Sequence, residues 1–100
     1  MSHDLEINFQ KIKEQLVQKI QLITSQPPDL LEESMGQLRK SYAAYHDANV
    51  ELRNHFQLKN NSDMVSELDF ERQHLMPSAF QQAVAVITGH RTTVAQPPII

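Results

Sequence analysis

The sequence predicts an all-α fold: an antiparallel helical bundle of three to four helices with one long central helix over about residues 29–58. Three observations carry that reading. Over residues 31–56 the chain keeps an apolar heptad, Leu31, Met35, Leu38, Tyr42, Tyr45, Asn49, Leu52 and Phe56, in alternating steps of four and three. Such spacing lays one side chain per turn along a single seam that packs against another helix. A second stripe, Leu5, Phe9, Ile12, Leu16, Ile20 and Ile23, has the same period. The chain also holds only 2 glycines among many Gln, Glu, Leu, Ala and Lys, which favours helix over sheet.

Helix one is expected from about Asp4 to Ile23, with Lys11, Lys13, Glu14, Gln18 and Lys19 on its wet circumference. Thr24-Ser25-Gln26-Pro27-Pro28 ends it, because a prolyl ring removes a backbone donor and disfavours helix at the residue before it. Asp29 restarts the chain as an N-cap, and Glu32 completes a capping-box spacing. Helix two then runs to about Leu58 and spans about 43 Å, against about 30 Å for helix one. The longer helix overhangs its neighbour near Leu52 and Phe56, which must be covered by later residues or by another subunit. Gly36 weakens this helix by about 1 kcal/mol relative to Ala, and offers a close crossing in exchange.

Lys59-Asn60-Asn61-Ser62-Asp63 reads as a turn, with helix three starting at Ser62 or Asp63. Its early acids suit the positive end of the helix dipole. Val65, Leu68, Leu75 and Met76 form its expected inner face, with Phe70 off that stripe. Pro77 either kinks the helix or opens a fourth, in which Phe80, Ala83, Val84 and Ile87 share one side and Gly89 is the stop. Residues 1–89 are thus read as a helical bundle domain and 90–100 as a flexible C-terminal tail or linker. The closing Pro97-Pro98-Ile99-Ile100 reads as a cut within a longer protein.

Composition narrows the function classes. With 0 cysteines, neither disulfides nor a thiolate metal site brace the fold. No Lys/Arg cluster supplies the footprint of a nucleic-acid binder, and no apolar run approaches the roughly 20 residues needed to span a bilayer. The N-terminus lacks the basic and apolar regions of a secretory signal, so the expected setting is intracellular, cytoplasmic or nuclear. There is no Gly-x-Ser-x-Gly elbow, no phosphate-cradling glycine loop and no paired carboxylates in an apolar run. We therefore expect no enzyme, no cofactor and no catalytic residues.

Two metal-like spacings occur. Glu71-Arg72-Gln73-His74 has the Glu-x-x-His step of di-iron bundles, and Glu51 and His55 stand four apart. Neither has a matching partner set, so both read as solvated helix faces and no metal ligand is assigned. His46 and His55 are nine residues apart on one helix, about 13 Å along its axis, too far to share an ion; His46, next to the seam, reads as flanking an interface. Asn60-Asn61-Ser62 has the form of a glycosylation acceptor but reads as a turn. Tyr42 and Tyr45 should bury their rings and turn their hydroxyls to the rim.

The order of features resembles the N-terminal helical region of Gag polyproteins from BEL/Pao-type retrotransposons. An Ile/Leu helix ends near Thr24, and after a break come Leu38-x3-Tyr42-x2-Tyr45-His46-x5-Leu52, then Asp69-Phe70-Glu71 and another aromatic-bearing helix. The resemblance covers roughly residues 12–88 and rests mostly on apolar spacing. The chain departs from that family in having no tryptophan and no Tyr-Phe pair in the acidic turn. It implies a self-associating structural segment, with nucleic-acid binding further along the polyprotein.

The function expected from the sequence is a non-enzymatic protein-interaction module that self-associates, as a dimer by preference, through Leu38, Tyr42, Tyr45, Asn49, Leu52 and Phe56. Asn49, a carboxamide in an apolar row, would fix register or partner number, so that Asn49→Leu would stabilise the fold and loosen oligomer choice. The alternative is a monomeric adaptor that offers a groove to an amphipathic helix, or its acidic 63–71 face to a basic partner.

Overall fold

The structure, a computed structural model, describes residues 2–25 and 31–95, with side chains over 3–25 and 33–89. Apart from the turn at 59–61, every described residue is helical. The elements are α1 (Ser2–Ser25), α2 (Leu31–Leu58), α3 (Ser62–Phe70), a π-helical turn (Glu71–Leu75) and α4 (Met76–Ala95). Asp29 and the break at 26–30 lie outside the described residues, as does the end of the tail at 96–100, and Glu32, the other half of the expected capping pair, is described in its backbone alone. The molecule is elongated, 59 × 23 × 17 Å, with a radius of gyration of 16.5 Å, against about 13 Å for a rounded domain of this length.

The stripe of α1 turns inward as its period requires: Phe9, Leu16, Ile20 and Ile23 are buried, with Leu5 and Ile12 packed at their edge. The α2 seam meets it. Leu38, Tyr45, Asn49, Leu52 and Phe56 are buried, and Met35 and Tyr42 are half-buried. Fully buried leucines such as Leu16 and Leu38 contribute about 1.5–3 kcal/mol each relative to exposure. The Phe9 ring lies 5.6 Å from that of Tyr45, while Lys19 shares a depression with Gln37 and Lys40.

Two asparagines make the reversal between α2 and α3. Asn60 takes a left-handed φ of 58°, a region where Asn is enriched among side-chain-bearing residues. Around it Asn61 N–H donates to the Phe56 carbonyl at 3.0 Å and Asn60 N–H to that of Gln57 at 3.1 Å. This is the paired closure of a Schellman motif, which satisfies carbonyls that the helix end leaves open. Asn61 then caps α3, its side-chain oxygen accepting from Met64 N–H at 3.3 Å. The reversal folds α3 back onto α2, so the cover over Leu52 and Phe56 comes from the chain itself.

Pro77 does not open a separate helix. α3 passes directly into the π turn and then into α4, one continuous rod. A proline ring collides with the carbonyl four residues earlier and offers no N–H; widening the preceding turn relieves both. Met76 N–H accordingly donates to the carbonyl of Glu71, five residues back. The widened turn also inserts one residue into the helical phase. Leu75, expected inside, is consequently 55% exposed, and Met76 takes the inner position at 5%. Beyond it Ala83 and Ile87 are buried and Phe80 and Val84 half-buried, as the period of α4 predicts.

Two glycine expectations need correction. Gly36 serves no close crossing: it is exposed, and a Cβ built there meets nothing within 4 Å. Gly89 does not stop α4, which continues to Ala95, and no glycine among the described residues has a positive φ.

Candidate interaction site at the π turn and the α1–α3 groove

The widened turn carries a polar network that joins three elements. Glu71, which the heptad pattern leaves on a wet face, points inward. Its Oε1 accepts from Tyr45 Oη at 2.5 Å and its Oε2 receives Lys13 Nζ at 2.6 Å. Lys13 reaches it by passing over the Phe9 ring, 6.0 Å from the centroid, so that its aliphatic stem covers apolar surface while its ammonium finds a carboxylate.

Asn49, fully buried, sits one turn along α2. Its amide nitrogen donates to the Leu68 carbonyl at 3.1 Å and approaches Tyr45 Oη at 3.4 Å. Its carbonyl oxygen accepts from Arg72 Nη1 at 2.9 Å. The hydrogen bonds of Asn49 are made inside the chain, where they tie α2 to the last turn of α3 and to Arg72 of the π turn. Arg72 Nη2 also reaches Asp69 Oδ1 at 3.1 Å, which receives Arg53 Nε at 3.0 Å. Arg53 is held in turn by Asn54 and Gln57.

The electrostatics follow from this geometry. Burial pushes the Tyr45 phenol far above its ordinary value, and the hydrogen bond and negative charge of Glu71 push it further. Burial also raises Tyr42, more modestly. For Asp69, burial acts upward, but the hydrogen bonds and charges of Arg53 and Arg72 outweigh it and hold the carboxyl below its usual range. The Tyr45 hydroxyl, expected at the rim, lies inside, because the half-buried Glu71 supplies an acceptor there.

Of the six seam residues, Leu38, Tyr45, Asn49, Leu52 and Phe56 face the chain's own helices. Tyr42 is half-buried, its ring 4.4 Å from Phe80 of α4 and 6.3 Å from Tyr45. The sequence reading missed Glu71 and Arg72. The available signal was Pro77, whose missing N–H and ring call for an adjusted turn just before it. The Glu71–His74 pair does not converge, since both Glu71 oxygens are engaged and His74 lies against Phe70 at 5.1 Å. His46 is exposed beside Asp47.

Next to the network lies an open groove of about 660 Å³. It exists because α1 packs on α2 and α4 while α3 packs on α2, which leaves a cleft between α1 and α3. Phe9, Leu52, Met64 and Leu68 form its floor, and Glu6, Lys11, Lys13, Glu14, Glu67 and Glu71 stand around it. Among the described residues, no helix is long and apolar enough to cross a membrane, and no three His, Cys, Asp or Glu side chains are grouped to hold a metal ion.

The described residues define an all-helical domain held by one apolar core and one buried polar network. Comparison with protein-family models, with curated protein sequences and with solved structures finds no match.

Proposed function

We propose that the chain is a non-enzymatic, intracellular protein-interaction module, an antiparallel bundle of three rods in which α3, the π turn and α4 form the third. The opposed course of the first two rods is supported by Phe9 lying against Tyr45 while Lys19 lies near Gln37. One observation carries the functional reading. The α2 seam is spent within the chain, with Leu38, Tyr45 and Asn49 each 0% exposed, whereas the α1–α3 groove stands open over an apolar floor. A module built this way keeps its folding surface and its partner surface apart, which fits the monomeric adaptor that receives an amphipathic helix. Self-association through the seam would require the bundle to open.

A second reading, assembly of copies as the Gag resemblance implies, is favoured by apolar side chains outside the bundle. Phe70, Leu75 and Leu58 are 54%, 55% and 85% exposed, and such side chains are available to a contact between copies. Light scattering across a concentration series, together with titration of a panel of amphipathic helical peptides of differing charge, tests both. A constant monomer mass with binding of at least one peptide supports the module. A mass that rises with concentration and is abolished by Phe70→Ser/Leu75→Ser supports assembly, and a monomer that binds no peptide refutes both.

A further inference from the structure

We propose that the α1–α3 groove takes a basic amphipathic helix; this rests on the module reading and assigns its partner surface. The floor is apolar and belongs to three elements, Phe9 of α1, Leu52 of α2, and Met64 and Leu68 of α3. Phe9, Leu52 and Leu68 are already packed, and Met64 is half-buried at the surface of the floor. Ile7, at the groove edge, is 47% exposed. An incoming helix therefore finds Met64 and Ile7 as its accessible apolar contacts, over a floor held in place by the core, in a cleft that can receive the apolar face of a helix.

The walls select the sign of the occupant. Glu6 and Glu14 stand on the α1 side and Glu67 on the α3 side. Lys13, the cation deepest in the wall, is occupied by Glu71 at 2.6 Å, so among the described lining residues Lys11 is the remaining full cation against three carboxylates. A helix with an apolar stripe flanked by Lys or Arg is matched on floor and walls. An acidic helix meets repulsion on both sides, and a purely apolar one leaves the wall carboxylates without counter-charge. The rigid base beneath the groove comes from the π-turn network, which fixes Glu71 and Lys13 before any partner arrives.

The test uses the full chain and two fluorescently labelled helical peptides with the same leucine stripe, one flanked by lysine and one by glutamate. Fluorescence anisotropy titration reads the affinities. The expected result is 1:1 binding of the lysine peptide and at least about tenfold weaker binding of the glutamate peptide. Glu14→Lys/Glu67→Lys should lower lysine-peptide affinity about tenfold or more. Glu33→Lys/Glu51→Lys, exposed α2 positions with the same change in net charge, should lower it far less. Met64→Lys should weaken it as well, through the floor. Circular dichroism confirms that each variant is folded, which the exposure of Glu14 and Glu67 allows.

Equal binding of the two peptides, or equal effects of the groove and control reversals, overturns the groove assignment while leaving the module reading intact. Failure of every peptide in the wider panel removes both readings together. A mass that doubles with concentration and returns to monomer in Met64→Lys means that a second copy occupies the groove, and overturns the basic helix.

Discussion

Replacing Asn49 by leucine separates an internal polar lock from a seam between copies. The side chain is 0% exposed, and its two ends serve Leu68 O at 3.1 Å and Arg72 Nη1 at 2.9 Å. Leucine supplies neither a donor nor an acceptor, so a buried carbonyl and a mostly covered guanidinium N–H each lose a partner. The Leu68 carbonyl keeps its bond from Glu71 N–H, so its loss is that of one hydrogen bond, about 1 kcal/mol, and the charge-assisted bond of Arg72 is worth about 2 kcal/mol. The leucine recovers about 2 kcal/mol through apolar burial. The net loss is about 1 kcal/mol, which for a domain of this size lowers the melting temperature by about 5 °C. Thermal unfolding followed by the helical circular dichroism signal measures it. A variant that melts at or above the parent temperature would refute the network. It would match instead the behaviour of a polar residue in a coiled-coil seam, which costs stability to specify partners.

Three further outcomes follow from the same geometry. Because the Tyr45 pKa is raised, its stabilising effect is complete below the unfolded value of about 10 and declines as pH rises beyond it, by up to about 1.36 kcal/mol per pH unit. Phenolate absorbance of the Tyr42→Phe variant should therefore appear only together with helix loss, and ionisation of a folded chain near pH 10 would contradict that placement. The depressed Asp69 works in the opposite direction: its contribution is present above about pH 4, the unfolded value, and fades as pH falls through the lower folded one. Asp69→Asn should be less stable than the parent at neutral pH, and the gap should close in acid; a gap independent of pH counts against the pairing with Arg53 and Arg72. Gly36→Ala should stabilise the chain by about 1 kcal/mol, because the added methyl enters open space on an exposed helix. A lower urea midpoint in that variant would show that Gly36 serves a close contact after all.

The parts of this fold that the sequence revealed are those governed by a single period. The α1 stripe and the α2 seam could be read because apolar side chains at steps of three and four have few other places to go, and Leu16, Leu38 and Leu52 are buried where that rule puts them. The Asn60–Asn61 reversal was legible through backbone chemistry, since adjacent asparagines suit both a left-handed residue and an N-cap. What remained hidden depends on phase. Leu75 and Met76 are equally apolar, and the choice between them turns on one inserted residue that only Pro77 and the packing of α4 reveal. Glu71 and Arg72 were hidden for a related reason. Charged residues on a helix normally mark its wet face, and a half-buried position becomes acceptable only because Tyr45, Lys13, Asn49 and Asp69 converge on them. Asn49 shows the limit of pattern alone: its burial was readable, but its partner was not, because the same carboxamide serves a neighbouring copy or a neighbouring turn equally well.

Thiol protection at the seam tests most directly whether α2 packs against its own chain. The protein has 0 cysteines, so Ala48→Cys places a single reporter at a position 8% exposed beside Tyr45 and Asn49. Its reaction rate with a soluble disulfide reagent should be slow and unchanged across a wide dilution series, as intramolecular cover demands. A rate that climbs toward that of an unfolded thiol on dilution would mean that a second molecule supplies the cover, and would contradict the account.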